Sequence, residues 1–273
     1  ALTTSQVKAL TTAQINKLTS DQLNTLTTLQ VQTVSTAQIN ALSSDQLNAM
    51  ASDDLRALTT MQVSKLTNTQ VPDLSTDQIG ALTANQVKSL TTSQVTSLTS
   101  DQLNSMASDD LQALTTAQVK ALTTAQISTL SSAQVAVMET ADIATLSSAQ
   151  AEKLSTDAIA ALTTAQVKVL TTAALNALTS DQLAALETDD VAALTTLQVS
   201  KLSTTQISKL SSDQVVALST AQVQALSTAQ VAAMTSEQLN AMASDDLQAL
   251  TTAQIKALTT AQITTLTSTQ LTP

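Results

Sequence analysis

The chain has 273 residues, a net charge of −10 and no Phe, Tyr, Trp, His or Cys. That inventory removes disulfides, thiolate and imidazole metal ligands, and nucleophilic catalysis assisted by His. The 11 Lys and Arg residues are scattered singly, which speaks against nucleic acid or an anionic membrane as partner, and no apolar run approaches the roughly 18 residues of a membrane span.

From Leu2 onward one eight-residue phrase, L-[TS]-[TS]-x-Q-[VIL]-x-A, runs 34 times to Pro273 without insertion or deletion. A fixed period marks a solenoid. The unbroken register predicts one domain over 1–273 that grows by adding repeats. Position one is Leu except at Val34, Met50, Met106, Met138, Met234 and Met242. Position six is Val, Ile or Leu except at Ala151, and position eight is most often Ala. Each octad therefore offers two large aliphatics and one small apolar residue to a narrow bore, in which the Met residues serve as fillers.

A continuous helix fails the arithmetic. Eight residues at about 100° each leave a drift of about 80° per octad, so the Leu row would wind around the axis. A β-solenoid remains the alternative, since Thr, Val and Ile suit strands. Yet positions one and six have opposite parity and would face opposite sides of one strand. One very short helix per octad fits best. In octad 10–17, Thr11 and Gln14 have the capping-box spacing, and Leu10 and Ile15 stand where a hydrophobic staple requires them. Octad 114–121 repeats this with Thr115, Gln118, Leu114 and Val119. Every Lys and the one Arg lie at position seven or eight, and all acids but Asp73 and Glu152 lie at positions two, four or five. Acids at the start and bases at the end of each unit match the helix dipole. The fold class expected is all-α, a repeat solenoid of very short helices.

Five octads lack the position-two hydroxyl (Ala51, Ala107, Glu139, Glu187, Ala243), and the same five carry Asp at position five (Asp54, Asp110, Asp142, Asp190, Asp246). There the cap is expected to shift to the next residue, Ser52, Ser108, Thr140, Thr188 or Ser244. Elsewhere the Ser or Thr at position three is redundant for capping and is expected to form a hydroxyl ladder to a neighbouring octad. The M-A-S-D-D-L clusters at 50–55, 106–111 and 242–247 are the one candidate for a site. Paired carboxylates such as Asp53 and Asp54 suit calcium, but EF-hand spacing is lacking and a helix start is the simpler reading. Lys153 and Lys201 have no special surroundings. No catalytic, cofactor-binding or metal residue is assigned.

The phrase resembles the octapeptide tracts L-[TS]-[TS]-A-Q-[VIL]-x-A of large secreted or surface proteins of bacteria, most clearly at 114–129 (LTTAQVKALTTAQIST) and 250–265 (LTTAQIKALTTAQITT). The resemblance implies an extracellular or cell-surface setting and a spacer role, and it supplies no functional residue. Ala1 stands at the last position of an octad, which reads as a segment of something longer. Octad 2–9 looks like an interior one, and octad 266–273 differs mainly in Pro273. Solenoid ends without polar caps are expected to stack head to tail or to continue into flanking sequence. The expected function is a structural stalk, spacer or filament-forming element, not an enzyme. Its expected partners are other copies or flanking domains, with no nucleic acid, membrane insertion or small-molecule substrate. The alternative is a binding surface of regular Ser/Thr rows for ice or glycan, or a glycosylated surface layer. A flat Thr array would favour ice, and the Lys, Asn, Ser and Asp scattered around those rows count against it.

Overall fold

The computed structural model describes residues 2–271. Ala1 and Pro273, on which part of the reading of the ends rests, lie outside them. Among the described residues there are 33 short α-helices, one 3-10 helix and no strand. The chain is an all-α repeat solenoid, and the β-solenoid alternative is set aside.

Octad 194–201 shows how the phrase builds one unit. Thr195 is the N-cap, extended at φ −71° and ψ 154°. Its hydroxyl accepts from the Gln198 backbone N–H at 3.1 Å, and its own N–H donates to Gln198 Oε1 at 2.7 Å. That is the reciprocal capping box. The helix Thr196–Lys201 follows, and Leu202, at φ −58° and ψ 140°, closes it by donating its N–H to the Val199 carbonyl. Leu202 is thus the last cap of one helix and the residue before the first cap of the next. Two successive extended residues, at positions one and two, make each corner. This is why no corner needs glycine: among the described residues no backbone φ is positive.

The chain groups into two compact units, Ala1–Leu130 and Ser131–Pro273. Within each, a helix packs on the helices three octads before and after it. Thr196–Lys201 touches Thr172–Ala177 and Thr220–Ala225, and in the first unit Thr92–Ser97 touches Thr116–Ala121. Three octads therefore make one turn of each solenoid. Positions one and six line the core: Leu194, Val199 and Leu202 are all buried, as are Leu82, Val87 and Leu90. The position-one Met residues Met50, Met106, Met138, Met234 and Met242 are buried there too.

Two local departures have physical causes. Pro72 lacks an N–H and disfavours α geometry at the residue before it, so octad 66–73 forms the 3-10 helix Val71–Asp73. Its corner is unchanged, because Thr67 N–H still donates to Gln70 Oε1 at 2.9 Å. Gly80 ends the helix Thr76–Gly80 where the next turn comes close. A Cβ there would stand 2.9 Å from the Ser105 carbonyl oxygen. Gly80→Ala is expected to lower stability by about 1–2 kcal/mol through this clash, although Ala is the better helix former. A urea titration of the two proteins checks the sign.

Candidate functional sites: the glutamine bridges and the open ends

The position-five glutamine does more than cap. Its Oε1 accepts from the N-cap N–H, and its Nε2 reaches across to the previous turn. Gln198 Nε2 donates to the Leu170 carbonyl at 2.8 Å and to the Val167 carbonyl at 3.1 Å. The pattern recurs in both units. Gln118 Nε2 donates to Leu90 and Val87 at 2.7 and 3.0 Å, and Gln238 Nε2 to Leu210 and Ile207 at 2.6 and 2.8 Å. The usual acceptors are the position-one and position-six carbonyls, 28 and 31 residues back, joined in some octads by the position-seven carbonyl, as where Gln46 Nε2 donates to Asn16 at 3.2 Å. One buried amide, 3 % exposed at Gln198, therefore satisfies a helix start and a corner of the turn beneath it. Leaving such buried groups unpaired costs about 1–3 kcal/mol each.

The hydroxyl ladder expected at position three is not what joins the turns. Position-three contacts of that kind are sporadic: Ser44 bonds the Asp73 carboxylate, Ser148 donates to the Ala173 carbonyl at 3.1 Å, and Thr220 to Asp246 at 3.3 Å. The ladder belongs to glutamine. Gln is long enough to reach the corner, and it carries both the acceptor and the donor that this double role needs.

The five Asp octads keep the same backbone without the box. Ala51, Ala107, Glu139, Glu187 and Ala243 remain the N-caps, with no side-chain cap bond. The expected shift of the cap to Ser52, Ser108, Thr140, Thr188 and Ser244 does not occur; these residues open the helices. The buried position-one and position-six residues fix the corner, and the cap side chain only adds to it. In octad 186–193 the Glu187 backbone N–H favours the charged form of Asp190. Ionised aspartate has no proton to donate and cannot replace the glutamine bridge.

Burial opposes the charge on four of these carboxylates, Asp54, Asp110, Asp142 and Asp190. Asp142 is 2 % exposed. Burial, and then the Glu139 charge, push its pKa up to about 6 from the ordinary 3.8. Asp54, Asp110 and Asp190 are raised for the same first reason, with Asp53, Asp109, and Glu187 and Asp189 adding to it. A folded-state pKa above the unfolded value means that ionisation costs stability. The full cost is present above about pH 6. It is relieved as pH falls from there toward 3.8, and is gone below that. Asp142→Asn is therefore expected to raise stability at pH 7.5 by about 2 kcal/mol and to leave it nearly unchanged at pH 4. Thermal unfolding of both proteins at the two pH values measures this. An equal gain at both would mean that the charge is not responsible.

In the M-A-S-D-D-L clusters the two carboxylates point to different surroundings. Asp53 and Asp109 are exposed, whereas Asp54 is half-buried and Asp110 buried. Among the described residues no three acidic side chains gather in a form that could hold a metal ion. Lys153 stands 3.4 Å from Glu152, both half-exposed, an arrangement worth little energetically. Also among the described residues, no helix is long and apolar enough to cross a membrane.

Two hollows lie near the first and last described turns. Leu2, Leu10, Leu18 and Leu26, with Gln22 and Gln30, line a hollow of about 460 Å³. At the other end Leu247, Ile255, Leu258, Ile263 and Leu266 line a second. Leu2 is 47 % exposed, and Ile255 and Ile263 are each 45 % exposed, whereas their counterparts in the middle of the units, such as Leu202 and Val199, are buried.

The pattern of the ALTTAQ repeat matches nine overlapping or successive segments: 1–28, 48–84, 103–138, 135–172, 159–188, 167–196, 183–220, 215–244 and 239–272. The chain belongs to the ALTTAQ repeat family. No curated protein matches it. The octads at 29–47 and 85–102, outside the matched segments, carry the same ALTTAQ architecture: Gln38 Nε2 donates to the Leu10 carbonyl at 2.6 Å and Gln94 Nε2 to the Leu66 carbonyl at 2.8 Å. Two ALTTAQ octads replace the glutamine by Ala158 and Ala174. Both keep the N-cap half of the box, through Ser155 and Thr171, and forgo the bridge.

Proposed function

We propose that this chain is a structural repeat protein, an extracellular stalk, spacer or filament-forming element whose ends self-associate, and that it catalyses no reaction. The observation that carries this reading is the repetition of one unit along the whole chain. The recurring positions of the octad are spent on the fold: position-two hydroxyls on caps, glutamines on bridges, aliphatics in the bore. The likeness of the octad wording to secreted and surface tracts supports the extracellular setting. Partners are then other copies or domains flanking the array. The position-two row is disfavoured as a surface for ice or glycan, because hydroxyls such as Thr195 Oγ1 are committed to helix N–H groups. Sedimentation velocity over a hundredfold range of concentration tests the association. Species that grow with concentration are expected; a monomer throughout would sink it.

A further inference from the structure

We propose that the second unit carries a built-in seam between the turn 146–169 and the turn 170–193, along which it opens before the turns 194–217 and 218–241 come apart. A turn of three octads has places for three glutamine bridges to the turn beneath it. Higher in the unit all three are filled. Gln198, Gln206 and Gln214 donate to the carbonyls of Leu170, Leu178 and Leu186 at 2.8, 3.2 and 2.7 Å. Gln222, Gln230 and Gln238 donate to those of Leu194, Leu202 and Leu210 at 2.7, 2.7 and 2.6 Å. Six consecutive bridges thus lock two full turns onto the turns beneath them.

Between 146–169 and 170–193 one bridge stands where three could. Gln182 Nε2 donates to the Leu154 carbonyl at 2.6 Å and to the Ala151 carbonyl at 3.1 Å. In the octad before it Ala174 replaces glutamine, and in the octad after it Asp190 does. Neither a methyl group nor a carboxylate can donate, so among the described residues the corner carbonyls of Leu146 and Leu162 receive no glutamine amide. Both replacements are inside the fold, Ala174 fully buried and Asp190 3 % exposed. Burial also opposes the Asp190 charge, so the residue that fails to bridge weakens the turn it stands in. What else crosses the seam is one hydroxyl, Ser148, donating to the Ala173 carbonyl at 3.1 Å, and the packing of helix Ser148–Ala151 on Thr172–Ala177. The first unit has no counterpart. Its two aspartate octads, at Asp54 and Asp110, are separated by six glutamine octads, so no three consecutive octads there lack more than one glutamine. Proteins open locally where their cross-links are sparsest. In a spacer, the role proposed above, load opens this place first and leaves 194–241 folded.

Hydrogen exchange of the whole chain, read by mass spectrometry, follows opening segment by segment. In the parent the helix amides of 146–193 are expected to exchange about tenfold faster than those of 194–241. The double variant Gln222→Ala, Gln238→Asp copies the Ala–Gln–Asp order of 174, 182 and 190 onto 222, 230 and 238. It is expected to bring 194–241 to the rate of 146–193. The single variant Asp190→Gln restores the bridge toward the Leu162 carbonyl and is expected to slow 146–193 severalfold. Equal exchange of the two segments in the parent would overturn the seam. So would a double variant in which 194–241 stays slow, or an Asp190→Gln protein in which 146–193 stays as fast as before. Should the double variant fail to fold, the parent and Asp190→Gln still decide. Exchange is read on the protein at rest, so the seam and the spacer role fail separately.

Discussion

Replacing Leu202 by Asp is expected to destabilise the second unit by at least about 4 kcal/mol, whereas Lys201→Asp, at the adjacent position, costs about 0.3–1 kcal/mol. Leu202 is 4 % exposed. It closes one helix and precedes the cap of the next, so its side chain cannot swing out without opening the corner. Lys201 ends the helix Thr196–Lys201 at an exposed position, where its charge meets only the helix dipole and solvent. An aspartate at 202 would be buried in the apolar core. The octad is also the repeating unit of the solenoid, so damage at one corner removes support from the turns above and below it. Thermal midpoints read by circular dichroism at 222 nm compare the two variants. Similar midpoints would mean that positions one and eight have been assigned to the wrong sides.

The helices, their caps and their core were legible in the phrase because each is local. Thr195 and Gln198 are three residues apart, and Leu194 and Val199 five, so spacing alone placed them. The sorting of charges was equally local: Asp101 falls in a first turn and Lys201 in a last turn, as the dipole requires. What spacing could not give was the number of octads per turn. Octads on all sides of the bore are nearly the same, so no residue marks where a turn closes. For the same reason the inter-turn role of glutamine went unread, its partners lying 28 and 31 residues away. A signal was nevertheless present. A capping box accepts Glu as readily as Gln, yet no octad has Glu at position five, although acids are frequent at position four. Glu there would cap the helix and fail to donate, so its absence points to the amide, although five octads carry Asp and two carry Ala in its place. The expected cap shift at Ser52 and its counterparts failed because capping preference was weighed without the packing of the corner. The buried aliphatics decide the corner: Met50 and Leu55 are buried on either side of Ala51, and the hydroxyl one residue on has no freedom to move it.

The strongest test of the octad as a physical unit is deletion. Removing residues 194–201 joins Ala193 to Leu202 and preserves the order of positions eight and one. Every octad downstream then moves to the next side of the bore. Gln206, which now donates to the carbonyls of Leu175 and Leu178 at 3.0 and 3.2 Å, would inherit the carbonyls of Val167 and Leu170 that Gln198 served. Gln214 would inherit those of Leu175 and Leu178, and so on along the unit. Each bridge finds an equivalent acceptor pair, because equivalent pairs stand at every corner. The expected cost is small, about 1 kcal/mol, as for the loss of one repeat from a linear array. Removing only residues 198–201 is different in kind. It joins Leu197 to Leu202 and discards Gln198, which is buried, and Val199, which is fully so. The helix that should span one side of the turn is then too short to reach the next corner, and the carbonyls of Val167 and Leu170 lose their donor. Three groups left unpaired or unburied at about 1–3 kcal/mol each give an expected loss of about 5 kcal/mol or more. The smaller deletion should therefore broaden and lower the melting transition of the second unit far more than the larger one. Equal losses from the two deletions would show that the turns are not locked by an eight-residue register.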